Sequence, residues 1–359
     1  MNKKKIVHIV PSFGQGGVQT AMLYSMDDLN EVFDYKILVI TEVHEHFIEH
    51  LTDHQKNCII RTGASNHISG SIKGYRLLKK IQPDVVICSL WKSIILSVLY
   101  KLFNRKTLLV SFFHTSYSPH VTYILLHKIL AAFQDACLAD SNVTKDYVSK
   151  FYKIKKVYTI PFIFPFPEKN HSRVPDPSNI RFAYFGNILQ YKNVGRSLAF
   201  CKLCKSWGLN FVFDLYTFGA VEEYRVKISK LGLSEQVFIK NTIPLDVVPE
   251  KMREYDFLLQ LSDEEGMALA VVEAMSCGLV PVVTPVGEIG RYSKDGINAI
   301  WLDPEFDEKL LQLFEKLIKV IESPGMYKVL SANAKEAFKN YKRYTEAMIE
   351  TIDMELAAR

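Results

Sequence analysis

The chain of 359 residues has few cysteines and lacks a long hydrophobic run. Six cysteines are too few for a disulfide scaffold, so we expect a protein of a reducing compartment. The most apolar stretch, residues 93–113, is interrupted by Lys101, Arg105 and Lys106, and no window offers the about 18 uncharged apolar residues of a membrane span. The basic residues 1–5 precede an apolar stretch too short for a signal-peptide core. The sequence therefore predicts a cytoplasmic protein that does not cross the membrane.

The composition excludes a disordered or fibrous chain, because 48% of the residues are hydrophobic and 23% are charged. The length corresponds to about two domains. Charge is distributed unevenly: residues 1–178 hold 22 Lys and Arg against 14 Asp and Glu, whereas residues 179–359 hold 22 against 25. A first part of net charge +8 favours a polyanion, a phosphate-rich substrate or an anionic membrane face as partner. A solvated basic surface explains the excess equally well.

Short β-branched or aromatic runs alternate with helical patterns, which indicates an α/β fold of two doubly wound parallel sheets. The first set of predicted strands is 5–10, 35–40, 85–89, 107–112, 136–139 and 157–160. Five prolines in residues 161–178 then break the alternation. The second set of predicted strands is 181–185, 211–217, 237–240, 257–261, 280–284 and 299–302. Helices are predicted at 193–207, 221–230, 267–276 and 306–321, with an uninterrupted helical segment at 333–356.

The most informative stretch runs from Glu265 to Val283. A strand ends near Leu261, an acidic loop and Gly266 follow, and an apolar helix is then predicted at 267–276, before Gly278. The unpaired amides at a helix start form an anion site, and a glycine there lets a phosphate approach closely. The stretch therefore predicts a diphosphate site.

Two glutamates eight residues apart flank this predicted site. Glu265 and Glu273 would reach groups on opposite sides of a bound diphosphate, such as sugar hydroxyls and a ribose diol. A solvated helix face is the alternative for Glu273. We favour binding, since its neighbours Val271, Val272 and Ala274 are apolar and a buried carboxylate needs a partner.

Further candidates follow other predicted strands. Lys192 comes after a strand and a Gly turn, where an ammonium group can bind a diphosphate. Gly16 and Gly17 open a helix after the first strand, and their backbone can approach a phosphate or sugar, although the pattern lacks the Gly-x-Gly-x-x-Gly spacing of a dinucleotide fold. His114 ends another strand, where an imidazole would bond a sugar or handle a proton.

Three weaker patterns do not support a metal site. His46, His50 and His54 share one face of a predicted helix, but an exposed polar face is the simpler explanation. Cys201 and Cys204 form a Cys-x-x-Cys inside a helical pattern with no second pair. The sequence has no clear Asp-x-Asp for a metal-bound sugar diphosphate. We therefore expect no metal and no cofactor.

Residues 91–106 mix apolar, aromatic and basic side chains, with Tyr123, Leu125, Leu126 and Lys128 as candidate neighbours. Such a helix would lie on anionic lipid headgroups. A buried crossover helix explains the apolar positions equally well. Together with the basic first part, we lean toward peripheral contact with the inner face of the plasma membrane.

The segment from Glu265 to Val283 resembles the E-x7-E region of the GT-B glycosyltransferases, in particular the retaining, family 4-like group of bacterial lipopolysaccharide and capsule biosynthesis. The likeness covers most of the chain, because Phe218-Gly219, Gly232-Leu233, Val237-Phe238 and the stretch 287–296 follow in the family's order.

The resemblance implies two Rossmann-like domains facing across a cleft. These would be an acceptor-side domain at 1–162, a linker at 163–178 and a nucleotide-sugar domain at 179–338, with a C-terminal helix at about 339–359 packing back on the first domain. The implied reaction moves a sugar from a nucleotide-diphosphate-sugar to a hydroxyl of a glycan or lipid-linked acceptor, with retention and without metal. No nucleic acid partner is expected.

The matching positions imply catalytic roles for Glu265, His114 and Lys192. Glu265 would hold the donor sugar's hydroxyls and Glu273 the ribose hydroxyls. Donor-binding backbone or side chains would also come from Gly16, Gly17, Asn187, Lys192, Gly266, Met267, Ala268 and Leu269.

The chain departs from the family at two of these positions. Asn187 stands where members commonly have Arg, and Ala268 also differs. Either Arg196 compensates, or Asn187 supplies only a hydrogen bond. These departures leave open a non-catalytic nucleotide-binding module, and a nucleotide-sugar 2-epimerase is the rival enzyme of the same architecture.

Overall fold

The computed structural model describes residues 3–118, 120–166, 173–218, 221–303 and 309–359. Three predictions extend beyond these ranges: residues 167–172 of the linker at 163–178, residues 306–308 of the helix at 306–321, and Gly219 of the Phe218-Gly219 pair lie outside the described residues. The chain divides into two compact units, Met1–Phe164 with Lys342–Arg359, and Pro165–Tyr341.

The described part of the first unit contains a seven-stranded sheet in the order β3-β2-β1-β4-β5-β6-β7. Its strands pair in parallel, and the central ones are buried along their length because helices cover both faces. The strands are β1 (Lys5–Val10), β2 (Asp34–Val39), β3 (Ile59–Arg61), β4 (Val85–Ser89), β5 (Leu108–Phe113), β6 (Ala136–Ala139) and β7 (Val157–Thr159). The helices between them are α1 (Gly17–Val32), α2 (Glu45–Ile48), α3 (Asp53–Asn57), α4 (His67–Ile81), α5 (Ile94–Phe103), α6 (Val121–Phe133) and α7 (Asn142–Phe151).

The described part of the second unit contains a six-stranded parallel sheet in the order β10-β9-β8-β11-β12-β13. Its strands are β8 (Ile180–Phe185), β9 (Phe211–Tyr216), β10 (Val237–Lys240), β11 (Phe257–Gln260), β12 (Val280–Val283) and β13 (Ile300–Trp301). Its helices are α8 (Val194–Ser206), α9 (Val221–Lys230), α10 (Val248–Met252), α11 (Leu269–Ser276), α12 (Ile289–Tyr292), α13 (Leu310–Ile321) and α14 (Pro324–Glu336). The predicted α/β class with two parallel sheets is confirmed.

Three details differ from the prediction. The edge strand β3 has only three residues and was missed, because so short a run carries no periodic signal. The helical segment predicted at 333–356 is interrupted: α14 ends at Glu336 and the last helix, α15, spans Tyr344–Ala357. The third difference is the start of α11, which lies at Leu269.

The interruption coincides with the passage of the chain from the second unit to the first. Phe338 packs on Tyr292 in the second unit, whereas Tyr344 packs on Phe162 and Phe164 in the first. Each aromatic ring thus packs within its own unit, on either side of the break in the helix.

Helix α15 is fastened to the first unit at both ends. At its start, the Tyr344 amide donates to the Ile163 carbonyl at 2.9 Å. Near its end, the buried Glu355 carboxylate accepts from Lys156 Nζ at 2.8 Å and from the Tyr158 hydroxyl at 2.6 Å. The hydrogen bond to this carboxylate raises the pKa of Tyr158 to about 12. Glu355 therefore holds the C-terminal helix to strand β7.

We expect Glu355→Ala to lower the free energy of unfolding by about 2–3 kcal/mol, since two hydrogen bonds to a charged group are lost and the Tyr158 hydroxyl keeps no acceptor. Glu350→Ala is the matched control, because Glu350 lies on the same helix but is exposed and forms a surface ion pair with Lys342. Urea unfolding followed by circular dichroism measures both. Equal losses in the two variants would contradict the anchoring role.

Candidate active site

The candidate site of the second unit is assembled at the carboxyl ends of parallel strands. Strand β8 ends at Phe185 and leads to Lys192, and its neighbour β11 ends at Gln260 and leads to Glu265. Backbone contact ties the two connections together, since the Asp263 amide donates to the Tyr191 carbonyl at 2.8 Å. The topology thus brings together residues that lie far apart in sequence.

Glu265 and Lys192 form a buried ion pair. Lys192 Nζ lies 2.7 Å from both carboxylate oxygens of Glu265. The side chains are 4% and 18% exposed for Glu265 and Lys192 respectively, so solvent screens this pair only weakly. The sequence predicted both residues for the site, and the structure places them in direct contact.

Two further side chains complete the coordination of the Glu265 carboxylate. Gln260 Nε2 donates to it at 2.6 Å and the Ser262 hydroxyl at 2.7 Å. Sequence reasoning missed both residues. The sequence contained a signal for this part of the site, because Gln260 is the last residue of an otherwise apolar strand, at the end where such sheets bind ligands.

The helix that follows begins at Leu269, two residues after the predicted start at Met267. Ala268, the N-cap, has φ +58° and ψ +67°, a left-handed conformation that cannot continue into the preceding residues as a right-handed helix. Gly266 and Met267 therefore form a loop that leads into the helix. The first amides of α11 remain the candidate anion site, since the leading N–H groups of a helix have no partner within it.

The loop before α11 is held by the segment 284–292. The Glu288 amide donates to the Gly266 carbonyl at 3.0 Å, and the Tyr292 hydroxyl donates to the Met267 carbonyl at 3.1 Å. Gly287, at φ +57°, lies so close that an added Cβ would sit 2.0 Å from the Glu265 carbonyl oxygen. The backbone of the loop is thus packed directly against Gly287.

Glu273 lies inside the unit. It is 6% exposed on α11, between the buried Val272 and Ala274, so the alternative of a solvated helix face is wrong. A buried carboxylate requires hydrogen-bond donors, which is consistent with Glu273 binding polar groups at this helix.

The structure also accounts for the residues around Lys192. Arg196 Nη2 lies 2.8 Å from Asp263, and its Nη1 donates to the Leu261 carbonyl at 3.1 Å. Its charge is therefore already paired, which does not favour compensation for Asn187. The Asn187 carbonyl accepts from the Tyr184 hydroxyl at 2.8 Å, which fixes the turn after β8.

The remaining predicted residues lie in the first unit. Gly16 caps α1 and Gly17 is its first residue, and an added Cβ on Gly17 would meet nothing within 4 Å. His114 follows β5, and its Nε2 lies 3.0 Å from the Ser89 hydroxyl. Burial lowers the pKa of His114 to about 3, so its imidazole is neutral at physiological pH.

The described residues contain no cluster of three or more His, Cys, Asp or Glu that would hold a metal ion. His46 and His50 both contact the exposed Glu49, at 2.9 and 3.2 Å. Cys201 and Cys204 are buried in α8, where burial raises the pKa of each thiol. Within the described ranges, every helix falls short of the length and apolarity needed to span a bilayer.

Comparison with protein-family models identifies both parts of the chain. Residues 16–162 match the model for glycosyltransferase family 4, and residues 166–337 match the model for glycosyl transferases group 1. The chain belongs to the family 4-like GT-B glycosyltransferases. A comparison with proteins of curated function gave no significant match.

Solved structures show the same GT-B fold as this glycosyltransferase. Anabaena Alr3699/HepE in complex with UDP-glucose is 16% identical with a TM-score of 0.78, covering 98% of this chain and 99% of that one. Sucrose-phosphate synthase from Thermosynechococcus elongatus is 14% identical with a TM-score of 0.80, over 99% and 100%. The lipopolysaccharide outer core galactosyltransferase WaaB is 14% identical with a TM-score of 0.69, over 98% and 99%. These likenesses confirm the predicted fold, and the family-model matches confirm the predicted transferase activity.

The packing of the glycosyltransferase around Gly287 leads to a stability prediction with an internal control. Gly287→Ala and Gly296→Ala both force a side chain into positive φ, at +57° and +69°, at a cost of about 1 kcal/mol each. Only the first also drives a Cβ into the loop at Glu265, whereas Gly296 has nothing within 4 Å. We expect Gly287→Ala to lower the free energy of unfolding by about 2 kcal/mol more than Gly296→Ala. Similar urea midpoints for the two variants would contradict this prediction, because they would show that the loop at Glu265 moves aside for the added Cβ at little cost in free energy.

Proposed function

We propose that this glycosyltransferase transfers a sugar from a nucleoside-diphosphate-sugar to a hydroxyl of a glycan or lipid-linked acceptor, with retention at the anomeric carbon. The buried Lys192–Glu265 pair beside the start of α11 carries the proposal, because it combines a cation for a diphosphate with acceptors for sugar hydroxyls. The fold shared with HepE, solved with UDP-glucose, and with WaaB supports this donor class and a role in bacterial surface polysaccharide assembly, such as lipopolysaccharide, O-antigen or capsule.

The proposed chemistry is electrostatic. The bond between the anomeric carbon and the diphosphate breaks, and the nucleoside diphosphate leaves with the electron pair. The acceptor oxygen bonds to the same face of the sugar, and its proton passes to the departing phosphate oxygen. Stabilisation of that leaving group by Lys192 and by the amides at the start of α11 supplies the catalysis.

The geometry around Lys192 suits this role. An ammonium group has three N–H donors, and two of them meet the oxygens of Glu265 at 2.7 Å. One donor remains for a phosphate oxygen. Glu265 holds Lys192 in place and uses its remaining acceptor capacity for the donor sugar, while Glu273 binds the ribose diol. We propose that these groups act without a divalent metal.

Screening UDP-, GDP- and ADP-sugars by thermal shift, followed by assay of donor turnover with and without acceptor, tests the reaction. A transferase needs the acceptor and forms product with the donor's anomeric configuration, which NMR of the product determines. Turnover to an isomeric nucleotide-sugar in the absence of acceptor would identify a 2-epimerase instead. Binding without any sugar release would identify a non-catalytic module, and loss of activity in EDTA would overturn the metal-free mechanism.

Lys192→Ala and Glu273→Ala should each lower donor affinity or turnover at least about tenfold, since each removes a charge-assisted hydrogen bond worth about 1.5–3 kcal/mol. The matched controls are Lys202→Ala and Glu336→Ala, which remove exposed charges on α8 and α14 of the same unit. Calorimetric titration with the nucleoside diphosphate and steady-state kinetics measure the effects. Near wild-type values in both site variants would reject the assignment.

We also propose that the enzyme works at an anionic membrane surface through the exposed side of three neighbouring helices, α4, α5 and α6, here called the three-helix face. None of these helices contains Asp or Glu. The exposed apolar residues follow helical spacing: Ile68 and Ile72 on α4, Ile95, Leu99, Leu102 and Phe103 on α5, and Val121, Leu125, Ile129 and Phe133 on α6. Exposed basic residues accompany them: Lys73, Arg76, Lys79, Lys80, Lys92, Arg105, Lys106 and Lys128.

This arrangement favours lipid over a protein partner. Phe103 and Val121 are 69% and 80% exposed, so they are available for insertion between headgroups. Basic side chains without neighbouring acids on the same helices complement anionic headgroups. The inner side of α5 is buried as well, with Ile94, Leu96 and Val98 in the core, so the helix is both a crossover helix and an exposed surface.

Flotation with vesicles tests the three-helix face. At low salt we expect the protein to float with phosphatidylglycerol-containing vesicles and to stay behind with pure phosphatidylcholine. Phe103→Glu combined with Leu125→Glu should reduce the bound fraction more than about tenfold, since each inserted side chain contributes about 1.5–3 kcal/mol. Val329→Glu, an exposed apolar residue of the second unit, is the control. Failure to float at low salt would overturn the membrane role.

A further inference from the structure

Four polar side chains form a continuous hydrogen-bonded chain across the sheet of the first unit. The Tyr35 hydroxyl lies 2.8 Å from His8 Nδ1, and His8 Nε2 lies 2.7 Å from the Ser89 hydroxyl. The Ser89 hydroxyl in turn lies 3.0 Å from His114 Nε2. The four residues come from β2, β1, β4 and the end of β5, which are consecutive neighbours in the sheet. Each hydrogen bond therefore crosses one gap between strands.

The direction of donation along this hydrogen-bonded chain follows from Tyr35, where the chain ends. This hydroxyl is buried, and among the described residues its hydrogen-bond partner is His8 Nδ1. A phenol has one proton to donate, and a buried donor without an acceptor is costly, so Tyr35 donates to His8. His8 then carries its own proton on Nε2 and donates it to Ser89.

The same reasoning fixes the proton of His114. Ser89 accepts from His8, so the Ser89 proton goes to its other described partner, His114 Nε2. A neutral imidazole that accepts at Nε2 carries its proton on Nδ1. Burial lowers the pKa of both histidines, which keeps each ring neutral at physiological pH. His114 Nδ1 is itself buried, and no described residue accepts a hydrogen bond from it.

We infer that Tyr35, His8 and Ser89 are positioning residues that hold His114 as the Nδ1–H tautomer and present that N–H to an oxygen atom of the substrate. The inference rests on the proposed function for the identity of the substrate. It decides between the two roles open to His114 from the sequence: the imidazole donates a hydrogen bond to a sugar oxygen and does not accept a proton at Nδ1. Aromatic packing supports this arrangement, because Phe112 stacks on His8 with ring centroids 6.3 Å apart and packs at a tilt against His114 with centroids 4.3 Å apart.

The tautomers are measurable without any assay of activity. Nitrogen-15 NMR of protein labelled at histidine distinguishes protonated from unprotonated ring nitrogens, and the signals are assigned with His8→Gln and His114→Gln. We expect protonation at Nε2 of His8 and at Nδ1 of His114. The opposite pattern would overturn the inference even if sugar transfer is observed.

Tyr35→Phe tests whether the hydrogen-bonded chain contributes to sugar transfer. The variant keeps the buried ring and removes only the terminal donor, so we expect a mixture of His114 tautomers and about a tenfold loss of kcat/KM. Tyr100→Phe is the matched control. Tyr100 is also buried in this unit, but it donates to the Leu78 carbonyl and takes no part in the hydrogen-bonded chain from Tyr35 to His114. The control should change neither the histidine spectrum nor kcat/KM.

The outcomes separate this inference from the proposed function. Loss of the Nδ1–H tautomer in Tyr35→Phe with unchanged kcat/KM would overturn the positioning role while the transferase assignment stands. The expected tautomers in a protein that turns over no nucleotide-sugar would refute the proposed function, and the hydrogen-bond chain would remain as assigned.

Discussion

A buried carboxylate needs hydrogen-bond donors around it, and this requirement shapes the loops that surround Glu265. Lys192, Gln260 and Ser262 all point at this one group, from two loops and a strand end. The same contacts immobilise Lys192, whose long side chain would otherwise sample many rotamers. The ion pair is thus a structural element and, in the proposed reaction, the group that receives the diphosphate.

The parallel sheet provides the scaffold for that concentration of polar groups. Its central strands β11 and β12 are buried along their length and almost entirely apolar, so polar residues accumulate where the strands end. Gly287 contributes by allowing two backbone segments to approach within contact of each other beneath the loop at Glu265. Ala268, in contrast, accepts a left-handed conformation that glycine adopts more readily, so the loop stores some strain at the helix start.

The first unit uses the same sheet architecture differently. Its polar chain from Tyr35 to His114 runs across the strands and lies within the core, where low solvent exposure makes every hydrogen bond directional and costly to lose. On the outside, α5 carries apolar residues that are buried and apolar residues that are exposed. The helical period separates a buried row at Ile94 and Val98 from an exposed row at Ile95 and Leu99, which places apolar residues on both sides.

Local patterns in the sequence determined much of this protein. Alternating apolar runs specified two parallel α/β sheets, because burial on both faces demands continuous apolar strands. The spacing of Glu265, Gly266 and Glu273 marked the segment that proved to be a loop and helix at a strand end. The tertiary structure alone decided which side chains meet. Lys192 lies 73 positions from Glu265, and His8 lies 81 from Ser89. A hydrogen bond requires its atoms to be within about 3 Å, and only the packing of the strands sets that distance.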